Sequence, residues 1–195
     1  MKTTYLVLSA ILLIFIIAQF FIHRNSTNIE MYPYTIDKKL GDVEIRTYKA
    51  RLFTSVPITA NSYRKASSTG FSKLGGYIFG ANESNQKIAM TSPVSMSLGE
   101  ESSMQFMVPK AIKKEALPKP NQADITFKEM PSKRMAVITF GGWVHDEKID
   151  KYKKQLMELL EEKEISYSRN FYLFGYNPPY DIFFRKNEVA VELAE

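Results

Sequence analysis

The chain of 195 residues has no cysteine, two histidines and a single tryptophan. Without thiols there can be no disulfide, no thiolate nucleophile and no zinc–thiolate site. His23 lies beside an N-terminal apolar run, which leaves His145 alone in the remaining chain. A Ser-His-Asp arrangement would need His145 as its base, and no Gly-x-Ser-x-Gly elbow accompanies it. One histidine among scattered acids is also a weak basis for a metal site, which needs several converging ligands. The glycine pairs do not make a phosphate loop. Gly75-Gly76 falls inside a predicted helix and Gly141-Gly142 at a strand end, whereas phosphate binding needs a strand, spaced glycines and then a helix start.

One long hydrophobic run is present. Tyr5 to Ile22 carries no charge and is interrupted only by Ser9 and Gln19. Its 18 residues reach roughly 27 Å as a helix, close to the hydrocarbon thickness of a bilayer. A cleaved signal peptide has a shorter apolar core and a small-x-small cleavage site. Here Ala18 is followed by Gln19, Phe20 and Phe21. Residues 1–24 are therefore read as a single-pass membrane anchor, with a signal segment as the alternative, and residues 5–22 as its lipid contact. Lys2 on one side and His23-Arg24 on the other leave the orientation open. Residues 25–35, polar and carrying Pro33, read as a linker, and residues 36–195 as the folded domain.

The formal net charge is +5. Removing Lys2 and Arg24 leaves 24 bases against 21 acids in residues 25–195, a net of +3. The densest basic cluster, KAIKKEALPKP at 110–120, lacks interleaved aromatics and reads as a solvated, proline-bounded loop. No nucleic-acid partner is expected.

The body contains an internal repeat. VEIRTYKARLFTSV (43–56) aligns with ITFKEMPSKRMAVI (125–138) at an offset of 82, pairing Val43 with Ile125, Ile45 with Phe127 and Val56 with Ile138. Each copy alternates like a half-buried strand, a short turn and a second strand, and so reads as a hairpin. A helix follows each. In the first copy Asn61 or Ser62 can cap it, Tyr63, Ala66, Gly70, Leu74, Tyr77 and Ile78 form an apolar stripe, and Gly80 ends it. In the second, Asp146 can cap, and Ile149, Tyr152, Leu156, Leu159 and Leu160 form the stripe. Further strands are expected at 87–98 and 103–109, then at 171–176, 180–185 and 188–193. The plan is α+β: two four-stranded antiparallel sheets closing into a distorted barrel with two helices and internal duplication.

Four segments carry a resemblance to a known family. KIAMTSPVSM (87–96) resembles the I-x-M-T-x-P-V signature of the SOUL family of haem-binding proteins. VEIRTYKARLFTSV resembles that family's opening hairpin, FGGW (140–143) its Phe-Gly-Gly-aromatic segment, and GYNPPYDIFFRKNEVAVEL (175–193) its terminal block. The resemblance covers roughly residues 32–193. It implies the same distorted barrel, with non-covalent binding of haem or free porphyrin in a shallow apolar groove beside the first helix. Basic groups would hold the propionates, without an obligatory axial ligand. The family's usual basic contacts fall near Ser68 and Gly76, and Arg64, Lys65 and Lys73 are the nearby substitutes. The site residues expected are Phe71, Leu74 and Ile78 against the ring, with Arg64 and Lys73 reaching the propionates.

The function expected is a membrane-tethered, non-enzymatic tetrapyrrole binder. A module for another amphipathic ligand or a protein partner is the alternative, and a hydrolase or demetallating enzyme the third. His145 would serve as an axial ligand only if it reached the groove. Pro93, having no N–H, should place KIAMTSPVSM at an edge or bulge.

Overall fold

The computed structural model describes residues 2–27, 29–59, 62–99 and 102–194. Helix α1 (Lys2–Thr27) contains the apolar run. Short strand β1 (Glu30–Met31) follows, then β2 (Tyr34–Leu40), β3 (Val43–Tyr48) and β4 (Arg51–Pro57). The segment read as a linker thus already belongs to the fold, and Tyr32 within it is buried. Helix α2 (Tyr63–Ile78) precedes β5 (Thr91–Ser92), β6 (Val94–Leu98) and β7 (Ser103–Met107). Strands β8 (Thr126–Met130) and β9 (Lys133–Gly141) lead to helix α3 (Asp146–Glu162). Strands β10 (Tyr167–Gly175) and β11 (Lys186–Leu193) end the chain.

The sheet is continuous. Nine strands pair in the order β2-β3-β9-β11-β10-β6-β7-β4-β8, which corrects the expectation of two separate four-stranded sheets. The two predicted hairpins also do not form. β3 pairs with β9 and β4 with β8, so each copy of the repeat pairs with the other copy rather than with itself. Val43 faces Ile138 and Arg51 faces Met130 in one unbroken register, which runs through the bends at Lys49-Ala50 and Pro131-Ser132. Two-residue hairpins need residues at positive φ. Neither bend has one, so the chain bends and continues. A tight hairpin does form between β2 and β3, turning at Gly41-Asp42, with Gly41 at φ +60°.

Exchanging the two copies of the repeat maps β3 onto β8, β4 onto β9, β6 onto β10 and β7 onto β11. The order of these eight strands then reads the same from either end, with β10–β6 at its centre. Both faces of the sheet's middle strands are buried, which explains the unbroken buried runs in β7 and β9, whereas β2 and β8 at its ends are largely exposed. One face packs under the helices through Val43, Ile45, Met104, Leu173 and Val191, against Leu74 of α2 and Leu156 of α3. The other curls around Tyr32, Tyr48, Phe53, Tyr172 and Phe174.

Pro93 divides its motif between two sheets. Thr91-Ser92 pairs in parallel with Glu30-Met31, while Val94–Leu98 pairs with β10 and β7. Met90 and Val94 pack on the helix-side core, and Thr91 donates to the Met107 carbonyl at 2.6 Å. The segment 180–185, expected as a strand, is a loop. Asn177 organises it by accepting from the Lys186 N–H at 2.7 Å and donating to the Phe184 carbonyl at 3.0 Å.

Candidate functional site

Helix α2 meets the sheet through its small residues. A Cβ on Gly70 would lie 2.9 Å from Cβ of Met104, so glycine there sets how closely the helix approaches β7. Ser62 stands at the N-cap without a side-chain bond to the helix, and Asn61 lies outside the described residues. The cap comes from elsewhere: Asp146 of α3 accepts the Tyr63 N–H at 2.8 Å. The carboxylate expected to cap its own helix caps the other one, and the starts of the two helices are thereby joined. At the far end Gly80 takes φ +114°, and Asn82 donates to the carbonyls of Tyr77 and Gln86 to hold the following turn.

At about 100° per residue, Arg64, Ser68, Phe71, Gly75 and Phe79 share the outer arc of α2. Phe71 is 37% exposed, with its ring 5.5 Å from that of Phe106, and Phe79 is 60% exposed. Between them lies Gly75, where a Cβ would sit 3.3 Å from Phe71 and 3.7 Å from Phe79. The two rings therefore cover Gly75, which is itself buried, and together present an apolar face. Arg64 is exposed on the same arc. Lys73 is not on it: two residues beyond Phe71, it points about 160° away around the axis, and it is paired with Asp124. Leu74 and Ile78, expected to touch a ring, are buried at 0% and 3% exposure and face the core. The sequence stripe had already assigned them to that face. Phe79 is the residue that the sequence reading missed, although its i+8 spacing from Phe71 was there to find.

A separate cleft of about 270 Å³ opens between the starts of α2 and α3. Tyr63, Met96 and Ile149 give it apolar walls, and Asp146, Asp150 and Lys153 line its polar side. Burial pushes the Tyr63 phenol up, against the opposing charge of Arg185 and a hydrogen bond with Ser67. His145 occupies the N-cap of α3, exposed, with Nδ1 2.7 Å from the Glu147 carboxylate. Among the described residues no cluster of three metal-ligating side chains occurs.

An extended polar network lies on the other side of the sheet. Glu188, fully buried, accepts from Arg46 through both oxygens, from the Tyr176 hydroxyl at 2.6 Å and from Thr139 at 3.2 Å. Burial opposes its ionisation, but the hydrogen bonds and charge of Arg46, with Lys186 and Tyr176, outweigh it and hold the carboxyl below its ordinary range. The same burial and the Glu188 charge push the Tyr176 phenol up. Arg46 also lies 4.2 Å from the Tyr34 ring centroid. Every acceptor of this carboxylate is engaged, which suits a structural centre more than a reactive one.

The sequence pattern of the family described as "SOUL heme-binding protein" matches residues 29–192. The chain belongs to the SOUL family. Heme-binding protein 2 of Mus musculus is 30% identical over 166 residues, covering 80% of each chain. Heme-binding protein 1 of Mus musculus is 25% identical over 181 residues, covering 85% of this chain and 95% of the relative. Among solved structures, the EcmrR C-terminal domain matches at a TM-score of 0.61 and 11% identity, over 83% of this chain and 98% of that one. A hydrolase from Listeria innocua matches at 0.53 and 9%, over 81% and 94%. At such identities these two share the fold alone.

In this SOUL chain two of the family-like segments meet. Arg185, from the terminal block, stacks 4.1 Å over the ring of Trp143, from FGGW, and Asn187 donates to the Gly142 carbonyl at 2.8 Å. The segments lie far apart in sequence but meet where the end of β9 pairs with the start of β11.

Proposed function

We propose that this chain is a membrane-tethered, non-enzymatic binder of haem or another tetrapyrrole, acting as carrier, buffer or sensor. Membership of a haem-binding family supports the ligand class. The observation that carries the reading is the exposed pair Phe71 and Phe79 on either side of Gly75. A porphyrin is a broad apolar plate with carboxylates at one edge. An open face made by two adjacent aromatic rings suits it better than a 270 Å³ cleft, which lies at the small end for ligand pockets. Arg64, on the same arc, is placed to meet a propionate. Lys73 would first have to leave Asp124. Leu74 and Ile78 support the helix from beneath.

The tether is α1. It is long and apolar enough to cross a bilayer, and the span Lys2–Phe21 is almost entirely exposed. Titrating the full chain in lipid nanodiscs with haem, and following the Soret band, tests the ligand. A saturable shift at micromolar haem or below is expected. A spectrum identical to that of haem with empty nanodiscs would refute it.

The cleft between the helix starts favours a second reading, a smaller amphipathic ligand. Its apolar walls and the carboxylates of Asp146 and Asp150 suit a compact organic cation. A thermal-shift screen separates the two, since a ligand stabilises the state that it binds.

A further inference from the structure

The loop between β10 and β11 is turned inside out. Its polar groups point inward. Asp181 is fully buried and accepts the Phe184 N–H at 3.3 Å, while Arg185 donates to the carbonyls of Pro178 and Asp181 at 3.1 and 2.9 Å. Its apolar groups point outward: Tyr180, Ile182, Phe183 and Phe184 are between 42% and 62% exposed. A loop facing water has the opposite arrangement, because exposed aromatics gain nothing there.

The loop also sits against α1. The ring of Phe183 lies 6.0 Å from that of Phe15, edge to face. Gln19, one of the two polar residues in the apolar run, is buried against the loop backbone. Its amide donates to the Tyr180 carbonyl at 3.2 Å and accepts the Ile182 N–H at 3.1 Å. Irregular backbone at membrane depth needs such partners, since lipid offers none.

From this arrangement we infer that the loop Tyr180–Phe184 is a second membrane contact, inserted into the interfacial layer of the same bilayer that α1 crosses. The inference rests on the reading of α1 as a membrane span. Phe15 is six residues from Phe21, where the apolar span ends, so about 9 Å along the helix. With Phe21 at the edge of the hydrocarbon, the Phe183 ring dips into its outer third, while the loop backbone held by Gln19, two residues or about 3 Å from that edge, lies near the boundary with the headgroups. Trp143, 54% exposed, is stacked with Arg185, the residue that follows the loop, and an indole with a cation over it is favoured at headgroup level. Two contacts instead of one fix the domain's attitude to the membrane.

The absence of cysteine makes the test direct. Single cysteines are placed at Leu12 in the span, at Phe183 in the loop and at Lys163, roughly 25 Å along α3 from its start. Each carries an environment-sensitive fluorophore, with the full chain in phosphatidylcholine vesicles. Expected are strong quenching by lipid-borne quencher at Leu12→Cys and Phe183→Cys, and aqueous quenching alone at Lys163→Cys. Trp143 in the unmodified chain should be quenched best by lipids brominated close to the headgroup. A water-accessible Phe183 site with a lipid-buried Leu12 site overturns the inference and leaves the anchor standing. A water-accessible Leu12 site overturns both. Shielding of Phe183 that depends on protein concentration and is unaffected by lipid quencher assigns the loop to a protein contact and overturns the inference.

Discussion

The guanidinium of Arg46 donates to both carboxylate oxygens of Glu188, at 3.0 and 3.1 Å, joining β3 to β11 across the strand between them. Breaking a buried pair strands a charge. Glu188→Leu should therefore lower stability by about 3–5 kcal/mol. The double variant Arg46→Met/Glu188→Leu should recover much of that loss in urea unfolding. Equal loss in single and double variants would show that the pair is not the cause.

The same pair sets an acid limit. The Glu188 carboxyl titrates below its ordinary range when folded, as do those of Glu44 and Glu192. Their contribution is complete above the unfolded carboxylate pKa and is lost as pH falls through the folded values. Urea midpoints should fall steadily below about pH 4.5 and less steeply in Glu188→Gln.

Tyrosines set the alkaline limit. Burial pushes both Tyr32 and Tyr77 up to about 12, with Arg51 opposing the shift at Tyr32. Their contribution is complete below the ordinary phenol value and lost as pH rises through 12. Unfolding midpoints should decline from about pH 10 upward. Tyr77→Phe should remove part of that decline, along with the 2.8 Å bond to the Pro118 carbonyl.

Two helix glycines should respond with opposite signs. Gly70→Ala places a Cβ 2.9 Å from backbone-linked Cβ of Met104, so overpacking of about 1–3 kcal/mol exceeds the gain in helix propensity. At Gly76 the nearest atom would be Cβ of Ala81 at 3.9 Å, and alanine should stabilise by up to ~1 kcal/mol. Thermal melts of the two variants decide this.

For the ligand face, Phe71→Ala and Phe79→Ala should each weaken haem about tenfold, equivalent to ~1.4 kcal/mol. Arg64→Glu should weaken it too, whereas Lys73→Glu, off the arc and paired with Asp124, should change it little. A larger effect from Lys73 than from Arg64 would move the site to the other flank of α2.

Periodicity in the sequence determined α2 and α3 and their buried stripes, because a 3.6-residue repeat of apolar side chains fixes a helix face without reference to any partner, and four short motifs carried the family resemblance. The 82-residue offset was visible too. Alternation, however, says which face a strand residue takes and not which strand lies beside it, so the exchange of β3 and β4 between copies was decided by tertiary structure. The missing positive-φ residues at Lys49-Ala50 and Pro131-Ser132 were the available clue. Nothing in the sequence links Arg46 to Glu188, 142 positions apart; folding placed them together. The aromatic segment 180–185 had the composition of a strand. Only the fold could turn it outward against α1, because the hydrogen bonds of Asn177, Asp181 and Gln19, which depend on residues up to 163 positions away, replace the ladder that a strand would have used.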